Sequence, residues 1–196
     1  MAVSTGSSAY ASGERLLTAA DLAVLPFELP SGPVDYELDN GRLIIVVPPG
    51  NIHGAVQSNI VTQLKLQGEF RQLGRARTEV GIVLWRNPDR VVGADVAFIV
   101  AASLPLRETP EGYLETIPEI VFEVRSKNDS RAAVQHKVED YLKAGVRRVC
   151  VADAELQAVT VHSAGQPPRA FTAADALEFP DLIPGFRMPV SDAFRE

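Results

Sequence analysis

The sequence predicts an α/β fold in which a mixed β-sheet is flanked by helices and carries a β-hairpin near its N-terminus. Two observations lead to this class. Helix-like and strand-like segments follow one another in the order helix, hairpin, helix, three strands, helix, two strands. Residues 95–100 and 119–125 are mostly apolar, which is typical of strands that are covered on both faces.

Local signals support each element. Thr18 is a suitable N-cap for the first helix, and Asn51 is expected to cap the second. Residues 39–41, Asp-Asn-Gly, predict a tight turn because Asn and Gly tolerate positive φ, and Gly145 closes the clearest amphipathic helix. The predicted helices are 19–25, 52–73 and 131–143, and the predicted strands are 34–38, 42–47, 77–85, 95–100, 119–125, 147–152 and 158–163.

The composition is that of one globular domain. The 196 residues are 46% apolar and 22% charged, which is ordinary for a folded chain with one sizeable core. Residues 1–17, rich in Ser, Ala and Gly, are expected to be a disordered tail ahead of a single domain over 18–196. The N-terminus does not resemble a signal peptide, and the longest apolar run, 43–49, is far shorter than the roughly 20 residues of a membrane span. We expect a cytoplasmic protein without a membrane partner.

Glu123 is a carboxylate inside an otherwise apolar strand, where an unpaired charge is costly. Because side chains alternate along a strand, Val121, Glu123 and Arg125 share one face. A metal ion, an arginine partner or exposure at the strand end could each stabilise Glu123. The simplest alternative to a metal is an ion pair with Arg125, two residues away.

Asp95 opens the apolar segment 95–100 after Gly93-Ala94. By itself it could be a strand-start aspartate that caps a turn. If its strand is next to that of Glu123, both carboxylates converge at one end of the sheet, and Mg²⁺ favours a few carboxylates together with water and substrate phosphate. The three histidines and one cysteine match no zinc spacing.

Lys137 lies at the edge of the apolar stripe of the helix over 131–143. At about 100° per residue it falls beside Val134 and Tyr141, away from most other polar residues. It either extends its stem along the edge of the stripe towards solvent or directs its ammonium towards the sheet and its carboxylates.

Several motifs, taken in their order, resemble the signature of the Uma2-type restriction endonuclease family, a branch of the PD-(D/E)xK nuclease superfamily. They are Tyr36-Glu37-Leu38 with residues 39–43, Pro48-Pro49 and His53, then 94–98, then 118–126 with 128–130, Lys137, Tyr141 and 144–146, and finally 182–186. The resemblance covers residues 18–196. Each motif is short, and the ordered set carries the specificity.

The resemblance implies a restriction-endonuclease-like fold and Mg²⁺-dependent cleavage of phosphodiester bonds, with Mn²⁺ as a substitute ion. Asp95 would match the acid of the PD element and Glu123 the acid of the (D/E)xK element, so that these two residues would bind the metal. Arg125 stands where that element has its lysine, and Lys137 would be the replacement lysine on the following helix.

The resemblance also adds two neighbours of the site. Glu37 would match a further acid, and His53 the histidine that opens the long helix. Each has a simpler interpretation, Glu37 as an exposed hairpin residue and His53 as part of a helix cap. Arg125 cannot act as a base, because a guanidinium stays protonated.

The function expected from these residues is a magnesium-dependent endonuclease that hydrolyses DNA. The alternative is a non-catalytic nuclease fold that serves as a binding or assembly module. The net charge of −6 argues against tight, non-specific binding to DNA, which basic surfaces favour. A homodimer is expected by analogy, because two-fold symmetry suits cutting both strands of a duplex.

Overall fold

The computed structural model describes residues 15–46, 49–105, 112–126 and 129–195. Most of the expected N-terminal tail, residues 1–14, lies outside the described residues. So does Val47, the last residue of the second predicted hairpin strand.

The chain alternates helices and strands in the predicted order and adds short elements at both ends. The helices are α1 (Ala19–Leu22), α2 (Asn51–Leu64), α3 (Arg131–Ala144) and α4 (Val190–Ala193). The strands are β1 (Glu28–Leu29), β2 (Gly32–Pro33), β3 (Asp35–Asp39), β4 (Arg42–Val46), β5 (Gly74–Trp85), β6 (Arg90–Val100), β7 (Ile120–Arg125), β8 (Arg148–Asp153), β9 (Ala158–Ser163), β10 (Gln166–Thr172), β11 (Ala176–Leu177) and β12 (Met188–Pro189).

One eight-stranded sheet dominates the fold. Its main path runs β10-β9-β8-β7-β6-β3-β4, and β5 pairs with the other edge of β6. The β7–β8 pair is parallel, and the remaining pairs are antiparallel. The mixed sheet flanked by helices, with its hairpin of β3 and β4, confirms the predicted fold class.

The two faces of the sheet are covered by different helices. Val56, Ile60 and Leu64 of α2 pack on one face, in a cluster that also contains the C-terminal residues 177–193. Val138 and Tyr141 of α3 pack on the other face. The buried strands β6 and β7 therefore lie between two apolar layers, as their apolar sequences predict.

The local signals mostly fold as expected. Thr18 accepts a hydrogen bond from the amide of Asp21 in a capping box, and Gly145 ends α3 with a φ of 107°. Asn40 and Gly41 adopt φ values of 50° and 80° in the hairpin turn. The prediction that Asn51 caps α2 is wrong, because Gly50 is the N-cap and provides no side-chain bond.

Several element boundaries differ from the prediction, among them the start of β5, at Gly74 rather than at residue 77. The first helix is shorter than 19–25. After α2 the backbone widens into a π-helical turn over Lys65–Glu69, so the single helix predicted over 52–73 is two segments. β6 begins at Arg90 rather than at residue 95, because Val91 and Val92 continue the buried strand. No helix among the described residues is long and apolar enough to cross a membrane.

Candidate functional site

The candidate site lies where β6 changes its neighbour on one edge. The N-terminal half of β6 pairs with β3 at Leu38 and Val91. Its C-terminal half pairs with β7 through Val96, Ala97 and Phe98. Because β3 and β7 diverge along the same edge of β6, a fork opens beside Gly93 and the two residues after it.

The backbone of β6 also changes face within this fork. Ala94 packs in the cluster on the α3 side, whereas Val96 packs in the cluster on the α2 side. Residues two apart in a regular strand share a face, so the strand turns over at Asp95. On β5, Glu79 lies opposite Asp95, because its neighbours Thr78 and Val80 pair with Val96 and Ala94. Glu79 has a φ of 47°. Gln57 on α2 donates to Oε1 of Glu79 (2.7 Å) and to the carbonyl oxygen of Asp95 (2.8 Å).

Asp95 and Glu123 line the same cavity at the fork. They are the next residues of β6 and β7 beyond the paired Val96 and Phe122, where the β6–β7 pairing ends. Oδ2 of Asp95 accepts a 2.6 Å hydrogen bond from the amide of Val124. The strands of Asp95 and Glu123 are neighbours, which is the condition under which the sequence analysis expected the two carboxylates to converge.

His53 supports the carboxylate of Asp95 from the first turn of α2. Its Nε2 lies 3.1 Å from Oδ2 of Asp95. Burial lowers the pKa of His53, but the hydrogen bond and the negative charge of Asp95 outweigh burial and raise that pKa above its ordinary value. His53 is therefore held by Asp95, and a helix cap is not its role.

Glu123 is buried, and its two oxygens have different partners. Oε2 lies 3.0 Å from Nζ of Lys137, and Oε1 accepts a 2.7 Å hydrogen bond from the hydroxyl of Tyr141. Burial raises the pKa of Glu123 to about 7; the charge of Asp95 adds to this, and Lys137 opposes it. Burial therefore disfavours the charged form of this carboxyl, and the ammonium of Lys137 favours it.

Lys137 directs its ammonium into the fork. Besides Glu123, it contacts Oε1 of Glu37 at 3.0 Å and donates to the carbonyl oxygen of Gly93 at 3.0 Å. Burial lowers the pKa of Lys137, but the charges of Glu123 and Glu37 outweigh burial and raise the pKa above its ordinary value. The interpretation of Lys137 as a solvent-reaching edge residue is wrong, because all three ammonium protons have acceptors inside the protein.

Glu37 is a buried member of the same cluster. Its Oε1 also accepts the amide of Gly93 at 3.0 Å, so it satisfies a backbone group that the diverging strands leave free. The interpretation of Glu37 as an exposed hairpin residue is wrong.

Arg125 points to a different partner from the one that its sequence position suggests. Its guanidinium bonds to Asp153, its register partner on the parallel strand β8. The simple ion pair between Glu123 and Arg125 is therefore wrong, because Lys137 and Tyr141 bind Glu123. Arg125 lines a neighbouring cavity of about 710 Å³ together with His53 and Val124. It is not among the described residues that line the cavity of Asp95 and Glu123.

The sequence analysis gave no site role to two further residues. Tyr141 belongs to the family signature and has the i+4 relation to Lys137, but its place in the apolar stripe predicts a core residue. Arg90 is fully buried and donates to Oδ2 of Asp140 (2.6 Å) and to the carbonyl oxygen of Leu38 (2.9 Å). It thereby joins α3 to the hairpin, and no sequence motif marks it.

The site residues line one cavity of about 430 Å³. Its described lining contains two basic side chains, Lys137 and His53. It also contains six carboxylates, which are those of Asp35, Glu37, Glu79, Asp95, Glu123 and Asp129. A cavity with this balance of charge attracts cations.

The donor chemistry at the fork fits a hard divalent cation. Asp95 and Glu123 provide two carboxylates, and the ligand preferences of Mg²⁺ leave further positions to water and substrate. No group of three or more His, Cys, Asp or Glu side chains in the described ranges is arranged to hold a metal. An ion here would therefore rely on the two acids, a backbone carbonyl and water.

Comparisons with known proteins agree with this fold. A family model named Uma2, described as “Putative restriction endonuclease”, matches residues 24–191. The structure is similar to a crystal structure from Anabaena variabilis ATCC 29413, described as “a putative nuclease belonging to DUF820”, with a TM-score of 0.75 and 21% sequence identity over 91% of this chain and 97% of that chain. No curated protein matches the chain.

Proposed function

Because the chain belongs to the Uma2 family of restriction endonucleases, we propose that it is a metal-dependent endonuclease that hydrolyses phosphodiester bonds in DNA. The observation that supports this most is the pair of carboxylates, Asp95 and Glu123, in an acidic cavity with a half-buried lysine at Glu123. An acidic cavity attracts cations, and an ion bound at these two acids would meet a phosphate that enters the cavity.

The residues around the cavity would bind the metal ion and orient its ligands. Asp95, Glu123 and the carbonyl of Val124 would hold Mg²⁺ or Mn²⁺. The bound ion would polarise the scissile phosphate and lower the pKa of an attacking water. His53 and the amide of Val124 fix the orientation of Asp95, just as Tyr141 fixes that of Glu123.

Lys137 would be the cation that stabilises negative charge on the phosphoryl oxygens. Its ammonium is compact and already donates a hydrogen bond to Glu123. If that bond were broken, the freed N–H group could point into the cavity and donate to a phosphoryl oxygen. Arg125 is the second candidate for this role, and its bond to Asp153 would have to open first.

The experiment that tests the proposal is a cleavage assay on supercoiled plasmid, single-stranded and branched DNA, with Mg²⁺, with Mn²⁺ and with a chelator. We expect cleavage of at least one of these DNAs with either ion and of none with chelator. The Asp95→Asn variant should be inactive, and Asp181→Asn, on an exposed carboxylate away from the cavity, should cleave normally.

The rival function, a non-catalytic binding or assembly module, makes a different prediction for the same assay. No DNA would be cut with any ion, and Asp95→Asn would behave like the wild-type protein in every measurement except stability. That outcome would reject the endonuclease.

A further inference from the structure

Aromatic side chains line the same cavity as the candidate catalytic carboxylates. Phe27, Tyr36 and Tyr113 all contribute to its wall. Phe27 is 74% exposed, so its ring is accessible to a molecule that enters the cavity. The cavity thus combines an acidic floor with an aromatic rim.

The two tyrosines are held in place from behind. Both pack against the small apolar cluster of α1, β3 and β6. The hydroxyl of Tyr36 donates to the carbonyl oxygen of Pro26 at 2.6 Å, which also ties down the segment that carries Phe27. The ring of Tyr113 covers Gly81 so closely that an added Cβ there would lie 2.3 Å from it. Rigid rings offer a stacking surface at little entropic cost.

The cavity is too acidic to bind the phosphates of double-stranded DNA. Proteins that bind double-stranded DNA neutralise several phosphates with Lys and Arg. In the described lining of this cavity the only such side chain is Lys137, which is already bonded to Glu37 and Glu123. The carboxylates are also recessed, since the side chains of Asp95 and Glu123 are 17% and 11% exposed. A stiff duplex would have to bring its phosphates into an acidic cavity to reach them.

Given the nuclease function proposed above, on which this inference rests, we propose that the cavity takes an unpaired nucleotide of single-stranded DNA, with its base stacked on Phe27. Aromatic rings bind the bases of single strands in any sequence context, because every base has a π-face. The volume of about 430 Å³ lies in the range of small-ligand sites. Stacking at the rim would bring the adjoining phosphodiester to Asp95 and Glu123.

Phe27 can be tested without disturbing the core, and Phe70 is a matched control. Phe70 is 71% exposed and is absent from the described lining of the cavity. The probe is a short single-stranded oligonucleotide with a central 2-aminopurine, whose fluorescence falls when it stacks. Binding is titrated in chelator, so that no strand is cut, and the same sequence is titrated as a duplex.

We expect the wild-type protein to quench the fluorescence of the single-stranded probe. Its affinity for the duplex should be lower by about tenfold or more. Phe27→Leu should weaken single-strand binding about tenfold, the scale of one lost base–aromatic stack, whereas Phe27→Trp should retain it. Phe70→Leu should bind as the wild type does. The affinity should also depend only weakly on salt, because few phosphates are neutralised.

The outcomes separate this inference from the nuclease proposal. Equal affinity for duplex and single strand, no quenching by the wild-type protein, or an unchanged affinity of Phe27→Leu would each overturn the stacking role, even if DNA is cleaved. Quenching that depends on Phe27, in a protein that cuts no DNA with any metal, would instead support the single-strand site and reject the nuclease.

Discussion

The ammonium nitrogen of Lys137 lies 3.0 Å from Oε2 of Glu123. These residues come from different elements, helix α3 and strand β7, and they meet inside the fork of the sheet. The contact joins a buried carboxylate of the site to the cation that the proposed chemistry requires. Most of the predictions below depend on it or on the packing around it.

Removing the charge of Lys137 should destabilise the fold. Lys137→Gln leaves Glu37 and Glu123 buried without their shared cation, and breaking a buried pair in this way costs about 3 kcal/mol or more. The matched control is Lys65→Gln, on an exposed lysine at the end of α2, where a change within about 0.5 kcal/mol is expected. The free energy of unfolding in urea measures both. Equal stabilities of the two variants would show that the buried contact contributes little.

Lys137 should also be hard to replace by another cation in catalysis. Lys137→Arg keeps the charge, but the planar guanidinium cannot fit a compact ammonium position with three acceptors. We expect its single-turnover cleavage rate to fall about 10²-fold, while Mn²⁺ affinity changes little because an ammonium is not a ligand. If Lys137→Arg cleaves at the wild-type rate, the catalytic cation is Arg125 or another group.

Asp89 should make stability depend on acid pH. Burial by itself would raise the pKa of Asp89, but hydrogen bonds from the amide of Ala19 and from Arg86 outweigh burial and lower the pKa below its ordinary value. A lowered pKa contributes stability that is present above the unfolded pKa, about 3.8, and is lost as the pH falls through the folded value.

Asp89→Ala should therefore lower the free energy of unfolding at pH 7 by about 1–3 kcal/mol, and its difference from the wild type should shrink below pH 3.8. Asp181→Ala, which removes an exposed partner of Arg147 and Arg148, should cost less than about 1 kcal/mol. Urea unfolding at both pH values checks this. A difference for Asp89→Ala that is the same at pH 3 and pH 7 would contradict the assignment.

Two glycines should respond to alanine with opposite signs. Gly54 lies within α2, and a Cβ there would meet nothing within 4 Å, so Gly54→Ala should raise stability by up to about 1 kcal/mol through helix propensity. At Gly74 a Cβ would lie 2.2 Å from the carbonyl oxygen of Ile99. Gly74→Ala should lower the free energy of unfolding by about 1–3 kcal/mol. Thermal unfolding of both variants gives the signs, and a stabilising Gly74→Ala would refute the packing.

The sequence predicted the sheet and the two central acids for physical reasons that are local. The apolar run of β7 identifies a buried strand, and Glu123 is conspicuous within it. Strand β10 was missed because Pro167 and Pro168 interrupt its pattern, and prolines are tolerated only at a sheet edge, which is where β10 lies.

The partners of the buried charges could not be predicted in the same way. Arg125 is the near neighbour of Glu123 in sequence, but parallel pairing of β7 with β8 sets Arg125 opposite Asp153. Arg90 looks like an ordinary residue after a turn, and only the packing of α3 against the hairpin buries it. Such partners depend on which strands become neighbours in the sheet, and the hydrophobic periodicity of a single sequence does not predict the order of the strands.

In the proposed mechanism, Asp95 and Glu123 together hold the metal ion on which the cleavage of DNA depends. The most direct test is the single-turnover cleavage rate of a single-stranded oligonucleotide as a function of Mg²⁺ concentration, for the wild-type protein and for Glu123→Gln, with Glu139→Gln on the exposed side of α3 as the control. We expect a rate that saturates with Mg²⁺ in the wild type and in Glu139→Gln, and a rate lower by about 10²-fold or more in a folded Glu123→Gln. A folded Glu123→Gln that cleaves at the wild-type rate would contradict this mechanism.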